Sequence, residues 1–232
     1  MNKETLIKMN QMKLYGMHYA FKTIVEGNHH QGLTSDQLIE HLVDAEHDDC
    51  HNRKITRLLR NAKLRHKAAV EDIVYDDHRH LDKDMVLRLA EGTYLEKTEN
   101  ILITGSTGVG KSFIACALAY QACNTGYKVL YYNTSRLLSQ LKLSKADGSY
   151  VRNMQKIQRH DLLILDDFGL QLIDPISSNI LLELVEDRYN IGSLIITSQI
   201  PIDGWYELIT EKTFADASRR IGRTELFTRR IA

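Results

Sequence analysis

The first part of the chain carries apolar residues at helical spacing. Over residues 3–26 the apolar face consists of Leu14, Met17, Phe21, Ile24 and Val25. A second helical pattern opens at Thr34, where Thr-x-x-Gln up to Gln37 fits a capping box. It extends toward residue 68, with a break near Asn52. Residues 1–70 are therefore predicted to form a small all-α domain.

The pattern changes after residue 100, where short apolar runs alternate with helical stretches. The apolar runs cover 101–103, 129–132, 162–165 and 194–197, and the helical stretches cover 111–123, 135–142, 151–158 and 176–189. Short apolar strands that alternate with helices are typical of an α/β domain with a mostly parallel, buried sheet. We predict such a domain over residues 100–217.

Two segments fit neither domain. Residues 71–99 are acidic and irregular, and we predict a linker there with one short helix from Asp82 to Ala90, ended by Gly92. Residues 218–232 are rich in arginine and are predicted to form a separate basic tail.

Composition narrows the classes of protein that remain. The chain has 232 residues, 43% of them hydrophobic, which suffices for a core and excludes a disordered or fibrous chain. Its three cysteines cannot all pair, and Cys116 and Cys123 on one helix would lie about 10 Å apart, too far for a disulfide. No segment approaches the roughly 20 apolar residues that span a bilayer. We expect a cytoplasmic protein without membrane contact.

A phosphate-binding motif lies between the first apolar run and the helix after it. Residues 105–112 read Gly-Ser-Thr-Gly-Val-Gly-Lys-Ser and match G-x-x-x-x-G-K-[ST]. In such a loop the backbone N–H groups cradle a polyphosphate, the lysine reaches the β and γ phosphates, and the hydroxyl ligates Mg²⁺. The residues predicted to bind ATP are Gly105, Ser106, Thr107, Gly108, Val109, Gly110, Lys111 and Ser112.

Two later strand ends add polar side chains. The run at 162–165 ends in Asp166, placed to bind Mg²⁺, and Asp167, placed to orient or deprotonate water. The run at 194–197 ends in Thr197, Ser198 and Gln199. Because the carboxyl ends of parallel strands meet at one sheet edge, these side chains can report the γ phosphate, or simply cap a core strand.

Together these segments resemble the IstB-type helper ATPases of insertion-sequence transposition, close to the DnaC and DnaI replicative helicase loaders within the AAA+ superfamily. The resemblance covers about residues 5–217. Besides the loop at 105–112, the matching segments are Lys13-Leu14-Tyr15-Gly16-Met17, Glu99-Asn100, Ala122-Cys123-Asn124-Thr125-Gly126-Tyr127, residues 161–167, Arg188-Tyr189 and Ile196-Thr197-Ser198-Gln199.

The resemblance implies a small helical DNA-binding domain followed by an AAA+ ATPase domain that assembles as a homo-oligomer on duplex DNA when ATP is bound. It implies a transposase of the IstA type as partner, with effects on target-site choice and strand transfer. By matching positions, Ser112 and Asp166 hold Mg²⁺. Lys111, Asp167 and Gln199 then form the catalytic set, with Gln199 at the sensor position.

Two features depart from the family pattern. Asp167 stands where many AAA+ proteins carry Glu, and its shorter side chain predicts slow or DNA-stimulated ATP hydrolysis. After Ala217 the family's Asp-Arg pair, whose Arg is the finger for a neighbour's ATP, is replaced by Ser218-Arg219-Arg220. The arginine finger therefore stays unassigned, with Arg188 as a weaker candidate.

Two basic groups are candidates for contact with DNA. One recurs at helical spacing opposite an apolar face and predicts a stripe along a phosphate backbone: Arg53, Arg57, Arg60, Lys63 and Lys67. The other lies between the second and third predicted strands, where the resemblance implies a position facing a central DNA path: Lys142, Lys145, Arg152 and Lys156, with Arg159 nearby. Ordinary solvated charge is the alternative for both groups.

Other functions stay open at the level of sequence. The same ATPase can serve a replicative helicase loader on single-stranded DNA, or a nucleotide-gated DNA scaffold with little hydrolysis. The phosphate loop alone also permits a small-molecule kinase. His47 and His51 have a spacing that suits zinc but lack a completing cluster, so a solvated helix face is favoured.

The net charge of zero does not exclude DNA, because the charge is segregated. The 30 Lys+Arg and 30 Asp+Glu residues leave a net +7 over residues 100–160 and −9 over residues 161–217. Binding to phosphates then depends on local patches. Opposite charge on the two halves predicts a head-to-tail assembly that is sensitive to salt.

Overall fold

The computed structural model describes residues 2–27, 34–75, 81–201, 204–205 and 224–227. It divides into two compact units, Met1–Arg57 and Leu58–Ala232. Within the described ranges no helix combines the length and the apolar character needed to cross a bilayer.

The helices are α1 (Asn2–Gln11), α2 (Tyr15–Glu26), α3 (Ser35–Ala62), α4 (Lys83–Ala90), α5 (Thr93–Glu96), α6 (Lys111–Asn124), α7 (Thr134–Ala146), α8 (Tyr150–Gln158) and α9 (Pro175–Arg188). Val70–Asp72 adds one 3-10 turn. The strands are β1 (Ile101–Thr104), β2 (Val129–Asn133), β3 (Leu162–Phe168), β4 (Ser193–Ser198) and β5 (Thr224–Phe227).

The first unit consists of α1, α2 and the part of α3 up to Arg57. The helix pattern over residues 3–26 is divided in two near Lys13, whose φ of 62° lies in the left-handed region. The capping box before α3 is confirmed, since Thr34 and Gln37 exchange hydrogen bonds of 3.0 and 3.3 Å. The break predicted near Asn52 is wrong, because α3 runs uninterrupted to Ala62.

Helices α2 and α3 meet at Gly16. A Cβ atom on Gly16 would lie 2.1 Å from the carbonyl oxygen of Ala45, so only glycine permits this approach. Next to this contact the buried Glu46 accepts a hydrogen bond from the backbone N–H of Met17 at 3.2 Å and pairs with Arg53 at 3.0 Å. The Leu-Tyr-Gly-Met segment is therefore a helix-packing motif.

The second unit is built on a parallel sheet, as predicted. The strand order is β2-β3-β4-β1-β5, and every neighbouring pair is parallel. Alternate residues of the strands face opposite sides: Ile101 and Ile103 pack with α6, whereas Leu102 packs with α7 to α9. The sheet is thus buried between two layers, and the carboxyl ends of β1, β3 and β4 share one edge.

The structure corrects the prediction of a linker over residues 71–99. The predicted short helix is present as α4, capped by Asp82 and followed by Gly92 in the left-handed conformation. The apolar side chains of residues 71–99, however, belong to the core beneath α6: Ile73, Val86, Leu89, Tyr94 and Leu95 are buried there. The acidic residues that suggested a linker lie mainly on the outer face, so composition alone concealed the packing.

The structure also revises the predicted tail. The backbone of Thr224–Phe227 pairs in parallel with β1, so part of the segment 218–232 belongs to the sheet. The rest of that segment, including Arg219 and Arg220, lies outside the described residues.

Candidate nucleotide site

The glycine loop curls between β1 and α6 in the predicted context. Gly105, Gly108 and Gly110 have φ values of 154°, 82° and 93°, and Gly110 is the residue from which α6 begins. The Lys111 ammonium, 7% exposed, donates to the carbonyl oxygens of Gly105 and Ser106, both at 2.8 Å. Burial lowers the pKa of Lys111, and the nearby Asp167 and Asp166 oppose that shift.

Asp166 at the end of β3 is fully buried and forms the centre of a polar cluster. Its Oδ1 accepts hydrogen bonds from Ser112 Oγ at 2.8 Å and from Thr197 Oγ1 at 2.5 Å, and its Oδ2 accepts one from the Tyr131 hydroxyl. Burial by itself raises the pKa of this carboxyl. The hydrogen bonds from Thr197, Tyr131, Ser112 and Arg65 outweigh that effect and hold the pKa below its usual value.

The donor set around Asp166 suits magnesium. A serine hydroxyl and a carboxylate within hydrogen-bond distance of each other are hard oxygen ligands, which Mg²⁺ prefers, and both lie beside the loop that would hold the phosphates. Ser112 and Asp166 therefore fit the ion.

Asp167 is held apart from Asp166 by a local irregularity of β3. The pairing of β3 with β4 shifts register between Leu165 and Phe168, and Asp167 has a φ of 58°. Its backbone N–H donates to Thr197 Oγ1 at 3.0 Å, while its side chain accepts from Asn133 Nδ2 at 3.2 Å. The bulge turns this carboxylate toward the cavity that the glycine loop lines.

The three polar side chains at the end of β4 have three different surroundings. Gln199 Oε1 accepts from Thr107 Oγ1 at 2.8 Å, which places Gln199 on the glycine loop. Thr197 joins the acidic pair, as described above. Ser198 donates to the Phe168 carbonyl inside the core, so it caps the strand. Trp205 is buried against Phe168 with ring centroids 4.3 Å apart.

Sequence reasoning missed four residues of this cluster: Arg65, Tyr131, Asn133 and Thr134. Arg65 Nη1 lies 3.3 Å from Asp166 Oδ2 and 3.2 Å from Asp167 Oδ2. Tyr131 and Asn133 belong to β2, whose register sets Asn133 beside Asp166, and Thr134 Oγ1 donates to the Asp166 carbonyl. The β2 residues could have been found from the sequence, because they lie at the carboxyl end of a third predicted parallel strand. No sequence pattern indicated Arg65.

Two open cavities are lined in part by Asp167 and Arg65. One, of about 310 Å³, is lined by the glycine loop, Lys111, Ser112, Arg65, Asp167 and Gln199. The other, of about 640 Å³, is lined by Lys63, Arg65, Tyr131, Tyr132, Asn133, Arg136, Gln140 and Asp167. The first brings together the predicted catalytic residues Lys111, Asp167 and Gln199 with Ser112, whereas Asp166 does not line it.

The predicted five-residue cationic stripe is not continuous. Helix α3 ends at Ala62, and Lys63 has a left-handed φ of 54°, so Lys63 and Lys67 lie beyond the helix. Arg53 pairs with Asp49 at 2.6 Å and with Glu46 at 3.0 Å. Arg57 and Arg60 remain exposed on the helix, so the regular spacing holds only over its last turns.

The second basic group divides by helix. On α7, Lys142 pairs with Asp174 at 3.2 Å, and Lys145 lies 4.0 Å from Glu183. On α8, Arg152 and Lys156 are exposed and one turn apart. In the described residues these two have no carboxylate partner within ion-pair distance, so they are the members best placed for a phosphate backbone.

Arg188, the weaker candidate for an arginine finger, is a core residue. Its side chain is 1% exposed and donates to the carbonyls of Ile157, His160, Asp161 and Ser193 at 3.0 to 3.3 Å. A Cβ on Gly192 would lie 2.6 Å from its Nη2. Burial lowers the pKa of Arg188 to about 10, which leaves it charged at neutral pH. It cannot reach a neighbouring subunit.

Replacing Arg188 with Met is expected to lower the free energy of unfolding by about 3 kcal/mol, because buried carbonyls lose their donor. Urea unfolding followed by circular dichroism measures this effect. Arg88→Met, on the exposed face of α4, is the matched control and is expected to leave the midpoint unchanged. An unchanged midpoint for Arg188→Met would contradict the structural role.

The histidine pair and the cysteines form no metal site or disulfide in the described residues. The imidazoles of His47 and His51 stack with centroids 6.5 Å apart, and the described residues contain no group of three or more metal-binding side chains. Cys50, Cys116 and Cys123 are all free.

The chain is similar to known proteins along most of its length. The model of the IstB-like ATP binding protein family matches residues 7–221. An insertion sequence ATP-binding protein of Sinorhizobium fredii is 40% identical over 213 residues, 92% of this chain and 87% of that protein. Two solved structures, each 19% identical, share the fold. DnaI has a TM-score of 0.60 over 75% of this chain and 93% of that one, and AMPPCP-bound DnaA from Aquifex aeolicus has 0.61 over 72% and 51%. The chain belongs to the family of IstB-like ATP-binding proteins.

Proposed function

We propose that this chain is an ATP-dependent DNA-binding regulator of transposition. Its basal rate of ATP hydrolysis is slow, and DNA increases that rate. The observation that carries the proposal is the convergence of Lys111, Ser112, Asp167 and Gln199 on one cavity beside the glycine loop. The buried Asp166 is hydrogen-bonded to Ser112 next to it. The insertion-sequence context of the relative at 40% identity supports the link to transposition.

In the proposed reaction the glycine loop holds the β and γ phosphates through its backbone N–H groups, and Lys111 neutralises their charge. Mg²⁺, held by Ser112 and Asp166, would supply electrostatic stabilisation of the phosphates. Asp167 orients the attacking water and accepts its proton, and Gln199, bonded to Thr107, senses the γ phosphate. The short side chain of Asp167 and its bond from Asn133 both favour slow basal turnover.

The proposed partners are duplex DNA, further copies of this chain and a transposase of the IstA type. Assembly in the ATP-bound state would repeat the exposed cations of α8 and of the end of α3 along the DNA. A neutral chain can then bind phosphates strongly, because each subunit adds its local patch. Hydrolysis would release the assembly.

The proposal is tested first by ATP turnover with and without duplex DNA. We expect a low basal rate and a several-fold stimulation by duplex over single-stranded DNA. Stimulation by single-stranded DNA alone would favour a helicase loader. A phosphorylated small-molecule product would point to a kinase, and turnover indifferent to any DNA would contradict the proposal.

The α8 contact has its own prediction. Replacing Arg152 and Lys156 together with Glu should weaken duplex binding roughly tenfold and reduce the slope of log affinity against log salt by about 2, because two phosphate contacts are lost. Fluorescence anisotropy with labelled duplex across a salt series measures both quantities. The control replaces Lys83 and Arg88, two exposed cations of α4, with Glu. An equal loss in both double variants would show a net-charge effect without a defined interface.

A further inference from the structure

The segment just after α3 places a cation at the acidic pair. Lys63 to Ala68, here named the strap, follows the end of α3, and Arg65 at its middle contacts Asp166 and Asp167 through Nη1 at 3.3 and 3.2 Å. The same guanidinium lines the cavity that Lys111 and Gln199 line. It lies about one hundred residues away in sequence from the carboxylates that it contacts.

The strap is fixed to the helix that carries the glycine loop. The backbone N–H groups of Arg65 and His66 face the Cys116 sulfur on α6, where they oppose the rise that burial causes in the pKa of that thiol. The His66 ring lies 6.3 Å from the Phe113 ring. Ala68 is 3% exposed and belongs to the core beneath α6. Contacts with Phe113 and Cys116, about one turn apart on α6, therefore set where Arg65 stands relative to Lys111 and Ser112.

Arg65 balances the negative charge of the two aspartates at this site. Lys111 alone faces two carboxylates, Asp166 and Asp167, so the cavity without Arg65 would carry a net negative charge before a polyphosphate arrives. With Arg65 the four side chains sum to zero. A second cation within hydrogen-bond distance of the proposed metal and water residues lowers the electrostatic cost of binding the terminal phosphate and of the charge that develops on it.

The chemistry of the side chain suits that task. A guanidinium presents five N–H donors in a planar fork that matches phosphate oxygens. Both carboxylate contacts use Nη1. The neighbouring Tyr131 is the first of the groups that raise the pKa of Arg65. A fork of five N–H donors can serve these groups and still offer donors to a phosphate. The side chain is 52% exposed, so it can turn toward a ligand in the cavity. Asp166, which is buried, then keeps its hydrogen bonds from Ser112, Thr197 and Tyr131.

We propose that Arg65 is an arginine supplied in cis that binds the terminal phosphate of bound ATP and stabilises its transfer to water. The inference rests on the proposed function. It assigns to the chain itself a cation at the terminal phosphate, whether or not a neighbouring subunit supplies another. The strap then makes the ATP-bound and ADP-bound states differ at the end of α3.

The test compares nucleotides that differ by one phosphate. In Arg65→Ala, kcat for ATP should fall at least roughly tenfold, and the affinity for ATPγS with Mg²⁺ should fall about fivefold or more. The affinity for ADP with Mg²⁺ should change less than twofold. Arg65→Lys, which keeps the charge but loses the fork, should lie between the wild type and Arg65→Ala. Arg65→Gln provides a neutral variant of similar length should Arg65→Ala fold poorly. Arg88→Ala on α4 is the matched control.

Each outcome separates this inference from the proposed function. Equal losses of ATPγS and ADP affinity would overturn the inference and show that Arg65 only supports the fold. Faster basal turnover in Arg65→Ala and in Arg65→Gln would also overturn it, because Arg65 would then restrain the acidic pair. If wild-type chain binds both nucleotides but never hydrolyses ATP, the proposed hydrolysis fails while the selective loss of ATPγS still supports the contact of Arg65 with the terminal phosphate. Failure of the wild type to bind either nucleotide would overturn both.

Discussion

Lys111→Ala is expected to abolish ATP binding and, with it, ATP-dependent assembly on duplex DNA. The ammonium is the buried cation of the glycine loop, bonded at 2.8 Å to two of its carbonyls, and a phosphate chain in the loop would lose its main neutralising charge. We expect the dissociation constant for ATP with Mg²⁺ to rise at least about 100-fold. Titration calorimetry measures the binding, and analytical ultracentrifugation with DNA and ATP measures assembly.

The matched control for this variant is Lys128→Ala, an exposed lysine just before β2 whose ammonium has no role in the site. It should bind ATP and assemble like the wild type. Assembly on DNA that survives Lys111→Ala with an unchanged dependence on ATP would refute the nucleotide-driven mechanism.

Asp167→Asn is expected to stop hydrolysis while preserving ATP binding. The amide keeps the size of the side chain but cannot accept a proton from water, and loss of a general base commonly costs 10²- to 10⁴-fold in rate. We therefore expect kcat to fall at least about 100-fold, with ATP affinity within threefold of the wild type. The ATP-bound assembly on DNA should then persist after free ATP is removed.

Single-turnover measurements with radiolabelled ATP test this variant directly. Asp84→Asn, an exposed carboxylate in the first turn of α4, provides the control for a change of one negative charge. Turnover within about fivefold of the wild type in Asp167→Asn would mean that another group activates the water.

The sequence predicted the second unit well because its signals are local. Short local motifs indicate both the secondary structure and the functional groups of the site. This holds for the run from Leu162 to Asp167 and for the loop at 105–112. The parallel sheet then brings their ends together without further information. The placement of Gln199 on the loop follows from the same rule for β4.

The sequence failed where the packing partner lies far away. Arg65 falls between the positions of the predicted cationic stripe, because that stripe assumed a helix that continues to Lys67, whereas the helix ends at Ala62. The composition of residues 71–99 indicates a linker because acidic surface positions dominate it. In the structure, however, Val86 and Leu89 of this segment are buried beneath α6. Arg188 could not be assigned because its carbonyl partners come from α8, β3 and β4 and their flanking turns.

The left-handed backbone at Asp167 bears on which acid can serve there. Asp and Asn enter this region of φ and ψ several times more readily than other residues with a side chain, because their short polar groups relieve the crowding around Cβ. A glutamate at φ 58° would reach farther but would pay a conformational penalty that aspartate largely avoids. The bulge in β3 therefore favours the shorter acidic side chain at this position. The slow hydrolysis expected of this protein then follows from its backbone conformation as well as from the side chain.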